Sequence, residues 1–271
     1  MNTRTLFARC VVTIGVSLSA GCASLPNGRA WGEDATIRPG WERVRDAATH
    51  AATDPWVWGP LIGTAAFQID DWDRRVSDWA RENTPVFGSQ RNAEDWSDSL
   101  RDASAVAHYA TVAATPSGPE PSQWMLNKIK GTLVGAAAVS TTVALTNGLK
   151  DATDRERPNG DDSASFPSGH TSSSAVHTRL ASRNLQSIDM SDGWRRTCDI
   201  GLTALTIGTS WARIEAGWHY PSDTLFSVAL GNFIASFVND AFLGLQNDES
   251  GATVSASVVR DSAVVRWSWR F

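Results

Sequence analysis

The sequence predicts an all-α helical bundle ending in a small β-hairpin. Three observations carry that prediction. Residues 41–114 set apolar and charged side chains at helical spacing. From Trp124 the chain turns apolar and rich in small residues, as the central helices of a bundle would be. Only residues 252–271 alternate at period two.

The first element is a targeting segment. Arg4 and Arg9 give it a positive start, and Val11 to Ala20 form an apolar run too short to cross a bilayer. The run ends in LSAGC at 18–22. Residues 1–21 are therefore expected to be a signal peptide, and Cys22 a lipidated first residue. Lipoprotein signals usually carry leucine three residues before the cysteine; here Ser19 holds that place and Leu18 precedes it. Cleavage without lipidation is the alternative. Ala23 and Ser24 follow Cys22 with no aspartate, which by the same resemblance directs the protein to the periplasmic leaflet of a bacterial outer membrane. Several acyl chains on one cysteine anchor firmly, at about 0.8 kcal/mol per buried CH₂. Cys198 is then the remaining cysteine of the mature chain, so no internal disulfide is expected. Its surroundings, IGLTALTIG, suit a small buried apolar side chain. No metal-ligand spacing is present.

Residues 22–40 are Gly/Pro-rich and read as a tether to a helical domain spanning 41–246. GWERVRDAATHAA has one apolar face. Phe67, Ile69, Trp72, Val76 and Trp79 recur at helical spacing and read as core. Arg91 to Ala114 forms a further helix, stopped by TPSGPEPSQ. Gly131–Gly148 carries no charge and could in principle span a bilayer, as could most of Thr224–Asn239. The charged front half, IDDWDRRVSDWAREN, and a mean hydropathy of −0.23 favour a soluble bundle instead. Gly131–Gly148, Asp199–Arg213 and Thr224–Phe242 are accordingly expected as buried central helices. PSGH at 167–170 opens a helix reaching about Leu185, and HYPSD opens the last, with Pro221 in its first turn. At the C-terminus ATVSASVV and AVVRWSWRF flank RDS as a hairpin, residues 252–271. Its face of Val265, Trp267, Trp269 and Phe271 must pack on something, since an isolated hairpin is marginal in water.

Charge narrows the partners. Loss of residues 1–21 removes Arg4 and Arg9 and no acid, leaving 22 basic against 29 acidic residues. That balance argues against nucleic acid and against broad attraction to anionic lipid. Positive charge is local, in KDATDRERP at 150–158 and ARIEAGWHYPSD at 212–223. Lys150, Arg157 and Arg213 supply fixed cations, and arginine can grip two oxygens with one planar fork. Ser168 and Gly169 open a helix, whose free N–H groups bind anions. His170 and His219 are suited to proton transfer and nucleophilic attack. Asp223, four residues after His219, lies one helical turn on and can fix the ring tautomer. Alone, each segment is as well explained by a solvated basic face or a helix start. Together they describe a site for one phosphate.

The order and spacing of these segments resemble the type-2 phosphatidic acid phosphatase superfamily, which includes lipid phosphate phosphatases, bacterial class A acid phosphatases and vanadium haloperoxidases. Lys150, Arg157 and Pro158 fit K-x6-R-P; Pro167 to His170 fit P-S-G-H; Arg213, His219 and Asp223 fit the third motif. The resemblance implies a helical bundle of the acid phosphatase/haloperoxidase type. It implies that His219 is a nucleophile forming a phosphohistidine, with Asp223 its orienting partner and His170 the general acid. Lys150, Arg157, Ser168, Gly169 and Arg213 would hold the phosphate of a small molecule, a lipid phosphate or a diphosphate. No cofactor is implied. A vanadate-dependent haloperoxidase, with His219 on vanadate, is one alternative; a non-catalytic envelope scaffold is another. Two departures stand out: Ala212 replaces the usual serine, and the loop NGDDSASF is short. His177, on the same helical face as His170, reads as structural, and Glu215 as half of an ion pair.

Overall fold

The computed structural model describes residues 29–245 and the backbone of 252–259 and 262–269. Cys22 and the signal segment lie outside the described residues. Eight α-helices follow one another among those described: α1 Trp41–Thr53, α2 Pro55–Ala66, α3 Trp72–Asn83, α4 Gln90–Ala114, α5 Pro121–Thr153, α6 Gly169–Leu185, α7 Asp192–Glu215 and α8 Pro221–Val238. A π-helical turn, Asn239–Leu243, continues α8. Strands β1 Ala252–Val259 and β2 Ser262–Trp269 pair antiparallel, with Ala252 opposite Trp269.

Local chemistry sets most helix starts. Asp54 and Ser89 accept from Trp56 N at 2.9 Å and Asn92 N at 3.1 Å, capping α2 and α4. Pro55, Pro121 and Pro221 occupy first helical positions, where the missing N–H is no loss. Between α2 and α3 the backbone breaks: Asp70 and Asp71 take left-handed φ values of 52° and 55°. The helical spacing read from Phe67 to Trp79 is therefore interrupted, one helix ending at Ala66 and the next starting at Trp72. Its two periodic tryptophans are not core either. Trp72 and Trp79 are exposed, because α3 lies at the edge of the bundle and buries Asp73, Ser77 and Ala80 instead; Ile69 in the preceding turn is exposed too, and Phe67 and Val76 are half-buried.

Helix α6 is the axis. Its Val176 and Leu180 pack with Ala138 of α5 and with Ile234, Ala235 and Val238 of α8. On another side Ala181 and Leu185 meet Ile188 and Leu202. Truncating buried Leu180 to alanine is worth roughly 2–5 kcal/mol. Close approach of α6 and α8 depends on Gly231, where a Cβ would stand 2.8 Å from Ser172 O and Val176 N. Toward α4 and α7 the interface is polar and small. Ser104 and Ser174 Oγ atoms lie 2.8 Å apart, and Thr178 and Thr206 Oγ1 atoms 2.7 Å apart. His177 has the structural role read for it, its Nδ1 lying 3.0 Å from His108 Nδ1. Burial holds His108 down to about 3 and His177 to about 4.

Two further expectations need correction. Of the three expected central helices, Thr224–Phe242 is interior, but Gly131–Gly148 is not. It buries one narrow seam of Gly131, Gly135, Ala138, Thr142 and Thr146. Leu126, Ile129, Leu133, Val143 and Leu145 of the same helix face outward. Small residues permit close packing on one side, and nothing in that pattern requires cover on the other. Helices Pro121–Thr153 and Pro221–Leu243 are both long and apolar enough to cross a membrane; the apolar stretch of the first is 28% buried and that of the second 61%. Within the expected tether, residues 22–40, Trp31 packs on the domain. Trp31 is 1% exposed, donates from Nε1 to Asn184 Oδ1 at 3.1 Å, and fits where Gly131 leaves space. Cys198 is half-buried against the Leu185–Leu202 cluster.

Candidate active site

Helix ends build the site. The last turn of α5 brings Lys150, the start of α6 brings Ser168 to His170, and the last turn of α7 brings Arg213. His219 to Asp223 lead into α8, and α4 closes one side with Ser97, Asp98 and Arg101. The sequence-predicted residues thus converge on one end of the bundle.

Arg213 is held without an ion-pair partner among the described residues. Arg213 is 5% exposed, its Nη1 donates to Ser97 Oγ at 3.3 Å, and its buried Nε makes no hydrogen bond among the described residues. Buried polar atoms are normally satisfied, so an orphaned guanidinium N–H points to an anion. Trp218 is a shared platform: the Arg157 and Arg213 guanidinium carbons lie 4.6 and 5.0 Å from its ring centre. Arg157 Nε faces the exposed carboxylate of Asp162 at 2.5 Å, so the short loop after Pro158 folds back onto its own arginine. Lys150 Nζ donates to Ala164 O. Burial, with Arg157 and Arg213 beside it, holds Lys150 down to about 8 against the pull of Asp162 and Asp223. Burial also brings Arg213 down to about 10, and Arg157 adds to this. Each cation raises the cost of the others until an anion arrives.

Ser168 is fully buried; its Oγ accepts from Thr171 N at 3.4 Å, and its own N–H donates to Ser227 Oγ at 2.7 Å. That fixes the turn that presents Gly169 and His170. His170 Nε2 lies 2.8 Å from Asp98 Oδ1 and 2.9 Å from Arg101 Nη1. A protonated Nε2 donates to Asp98; a neutral one accepts from Arg101. Both states of a proton-transfer group therefore have a partner. Burial holds His170 down to about 4, helped by Arg213 and Arg101 and opposed by Asp98.

His219 is 2% exposed and departs from the expected pairing. Its Nδ1 donates to the backbone carbonyl of Ser165 at 2.6 Å, whereas Asp223 Oδ2 stands 3.8 Å away. Asp223, fully buried, is occupied elsewhere. It accepts from Ser165 Oγ at 2.6 Å, from Tyr220 N at 2.8 Å and from Arg155 Nη1 at 2.5 Å. The carboxylate thus acts on the ring through Ser165. Burial holds His219 down to about 4, with Asp223 opposing and Arg213 and Lys150 adding. With Nδ1 committed as donor, Nε2 carries the free lone pair.

Glu215 is not the ion pair expected of it. Its carboxylate accepts from Val86 N at 2.9 Å, Phe87 N at 3.0 Å and Trp211 Nε1 at 2.5 Å, tying the α3–α4 turn to α7. Sequence reasoning missed Arg155, Ser165, Asp98 and Arg101. Arg155 alone carried a signal, as a second arginine inside KDATDRERP. Among the described residues no three His, Cys, Asp or Glu side chains converge as a metal site requires.

The comparisons with known proteins agree with the motifs. Residues 131–244 match the family model of the PAP2 superfamily. The fold resembles the crystal structure of a transmembrane PAP2-type phosphatidylglycerolphosphate phosphatase from Bacillus subtilis. The TM-score is 0.51 at 18% identity, over 68% of this chain and 92% of that one. No curated protein matches the sequence.

Proposed function

We propose that this protein, whose residues 131–244 match the PAP2 superfamily model, is a metal-independent phosphatase working through a phosphohistidine on His219. The observation that carries the reading is Arg213: a buried guanidinium with an orphaned N–H, beside Arg157, Lys150 and two histidines. Lys150, Arg157, Arg213 and the first N–H groups of α6 hold the phosphate oxygens. His219 Nε2 attacks phosphorus in line while the P–O bond to the leaving group breaks. The negative charge of the bound phosphate, with Asp98 beside Nε2, favours the protonated form of His170, which delivers its proton to the leaving oxygen. Water then attacks the phosphohistidine, His170 takes the proton released, and phosphate departs with His219 restored. The side chains supply every charge these steps need.

One feature favours a lipid phosphate over a small soluble ester. A cavity of about 640 Å³ runs along α7 from Asp199 to Ile214, lined by Leu202, Trp211, Leu225 and Val228. None of the phosphate-site residues lines it; Ile214 and Pro221, which do, are chain neighbours of Arg213 and of the segment carrying His219. Its walls are apolar and its volume lies in the range of small-molecule sites. The outward apolar face of α5 and a lipid on Cys22 would bring such a substrate near, on the periplasmic side of the outer membrane. Rapid acid and alkaline quench during turnover tests the mechanism. A phosphoenzyme labile in acid and stable in base is expected, absent in His219→Ala. Normal turnover by His219→Ala would sink it.

A further inference from the structure

The loop after α5 carries an arginine that phosphate binding does not use. Arg155 Nη1 donates to Asp223 Oδ1 at 2.5 Å and to Ser222 Oγ at 2.9 Å, and Nη2 donates to Asp73 Oδ2 at 2.7 Å. One guanidinium face lies 4.2 Å from the centre of the Tyr220 ring. Asp73, on α3, also accepts from Ser222 N at 2.8 Å and from the Ser222 hydroxyl. Asp73, Ser222 and Asp223 are all buried. Two buried carboxylates this close need a cation between them, and Arg155 is that cation. Its charged form is favoured by both Asp223 and Asp73, against the opposing effect of burial.

The same residue reaches the nucleophile by two routes. Its side chain orients Asp223, which accepts from Ser165 Oγ at 2.6 Å. Its backbone carbonyl accepts from Ser165 N at 2.9 Å. Ser165, gripped at both ends, then offers its own carbonyl to His219 Nδ1 at 2.6 Å. We propose that Arg155 and Asp73 are positioning residues for the nucleophile: Asp73 fixes Arg155, Arg155 fixes Asp223 and Ser165, and Ser165 fixes the His219 ring. This rests on His219 being the nucleophile. Arg155 itself is no phosphate ligand, because its terminal nitrogens already serve two carboxylates and a hydroxyl. Asp73 lies outside the family-matched segment, so this part of the site belongs to the front half of the chain.

Charge around His219 makes the assignment measurable. Asp223 of α8 favours the imidazolium, while Arg213 of α7 and Lys150 of α5 oppose it. Beyond Arg213 stand His170 of α6 and Asp98 and Arg101 of α4. Arg155 compensates Asp223, so its loss should strengthen the pull of Asp223 on the His219 proton.

The test uses the full chain in detergent, with ¹⁵N-histidine labelling and His219 assigned by the His219→Gln variant. Without substrate, Arg155→Met should raise the His219 titration midpoint by about one unit, as expected when a neighbouring charge is unmasked. With p-nitrophenyl phosphate it should lower kcat about tenfold or more and leave KM within about threefold, because orientation is lost and binding is kept. Arg155→Lys should recover part of both effects, and Asp73→Asn should show a smaller change of the same sign. An unmoved His219 midpoint in Arg155→Met overturns the proposal, as does a raised KM with unchanged kcat. If Arg155→Met does not fold, Asp73→Asn decides by the same two readouts. If the wild-type protein releases no phosphate, the functional reading fails, and the titration still judges the positioning.

Discussion

Arg213→Lys is the sharpest test of the phosphate site. The change keeps a positive charge and removes the planar fork. Arg213 is almost wholly buried, its Nη1 already touches Ser97 Oγ at 3.3 Å, and its Nε is unpaired. The unpaired Nε–H is available to a phosphate, and the planar fork can add a second N–H to the same anion, whereas a lysine offers a single point of contact. In a site shielded from water, losing one donor to a developing oxyanion costs about 2.7–4 kcal/mol. Retained charge offsets part of this, so we expect a loss of about 2–3 kcal/mol, or roughly 30- to 150-fold in kcat/KM. A second effect adds pH dependence. Burial and Arg157 bring Arg213 down to about 10, still charged at neutral pH. Lysine starts near about 10.4, and nearby Lys150 is already at about 8. A lysine at position 213 should therefore lose its proton near pH 8, and the defect should widen between pH 6 and pH 9. The assay is kcat/KM for p-nitrophenyl phosphate across that range, with inorganic phosphate inhibition as a binding readout. Wild-type values at every pH would show that Arg213 holds no phosphate.

Three more predictions follow from the same geometry. EDTA should leave activity intact, and orthovanadate should inhibit by mimicking the five-coordinate transition state; activity lost to EDTA and restored by a divalent ion would contradict the mechanism. His108, His170, His177 and His219 have folded values of about 3 to 4, below the unfolded value, so the unfolded chain binds more protons between pH 4 and about 6.5. Stability is therefore full above that window and falls as pH drops through it; a Tm equal at pH 7.5 and pH 5 would refute this. Cys22→Ser should free the protein from firm membrane attachment, yet the outward face of α5 should still make it bind detergent micelles, which light scattering with and without detergent would reveal.

The sequence was most informative where one local pattern decided the outcome. PSGH, HYPSD and the lysine ending α5 are helix-end features, and their residues meet where the spacing said they would. It was least informative where partners lie far apart in the chain. Arg155 looked like one charge in a solvated DATDRERP run, and its partner Asp73 is 82 residues away. Asp223 sits at the right spacing from His219, but a backbone carbonyl reached the ring first, and no side-chain pattern marks a carbonyl. Gly131–Gly148 misled for another reason. Lack of charge says that a helix can be buried, and the fold left half of it facing outward.

The Arg155–Asp73 pair also bears on where this protein can be cut or recombined. Residues 131–244 carry every recognisable motif, yet that stretch is not a self-sufficient machine. Excised, it would leave Asp223 and Arg155 without Asp73, Arg213 without Ser97, and His170 without Asp98 and Arg101. It would also strip from α6 the helix that meets it through Ser104 and His108. Grafting these motifs onto another front half would transfer the reactive groups without the parts that aim them. The boundary of likeness and the boundary of the working unit fall in different places, and the earlier helices must travel with the later ones.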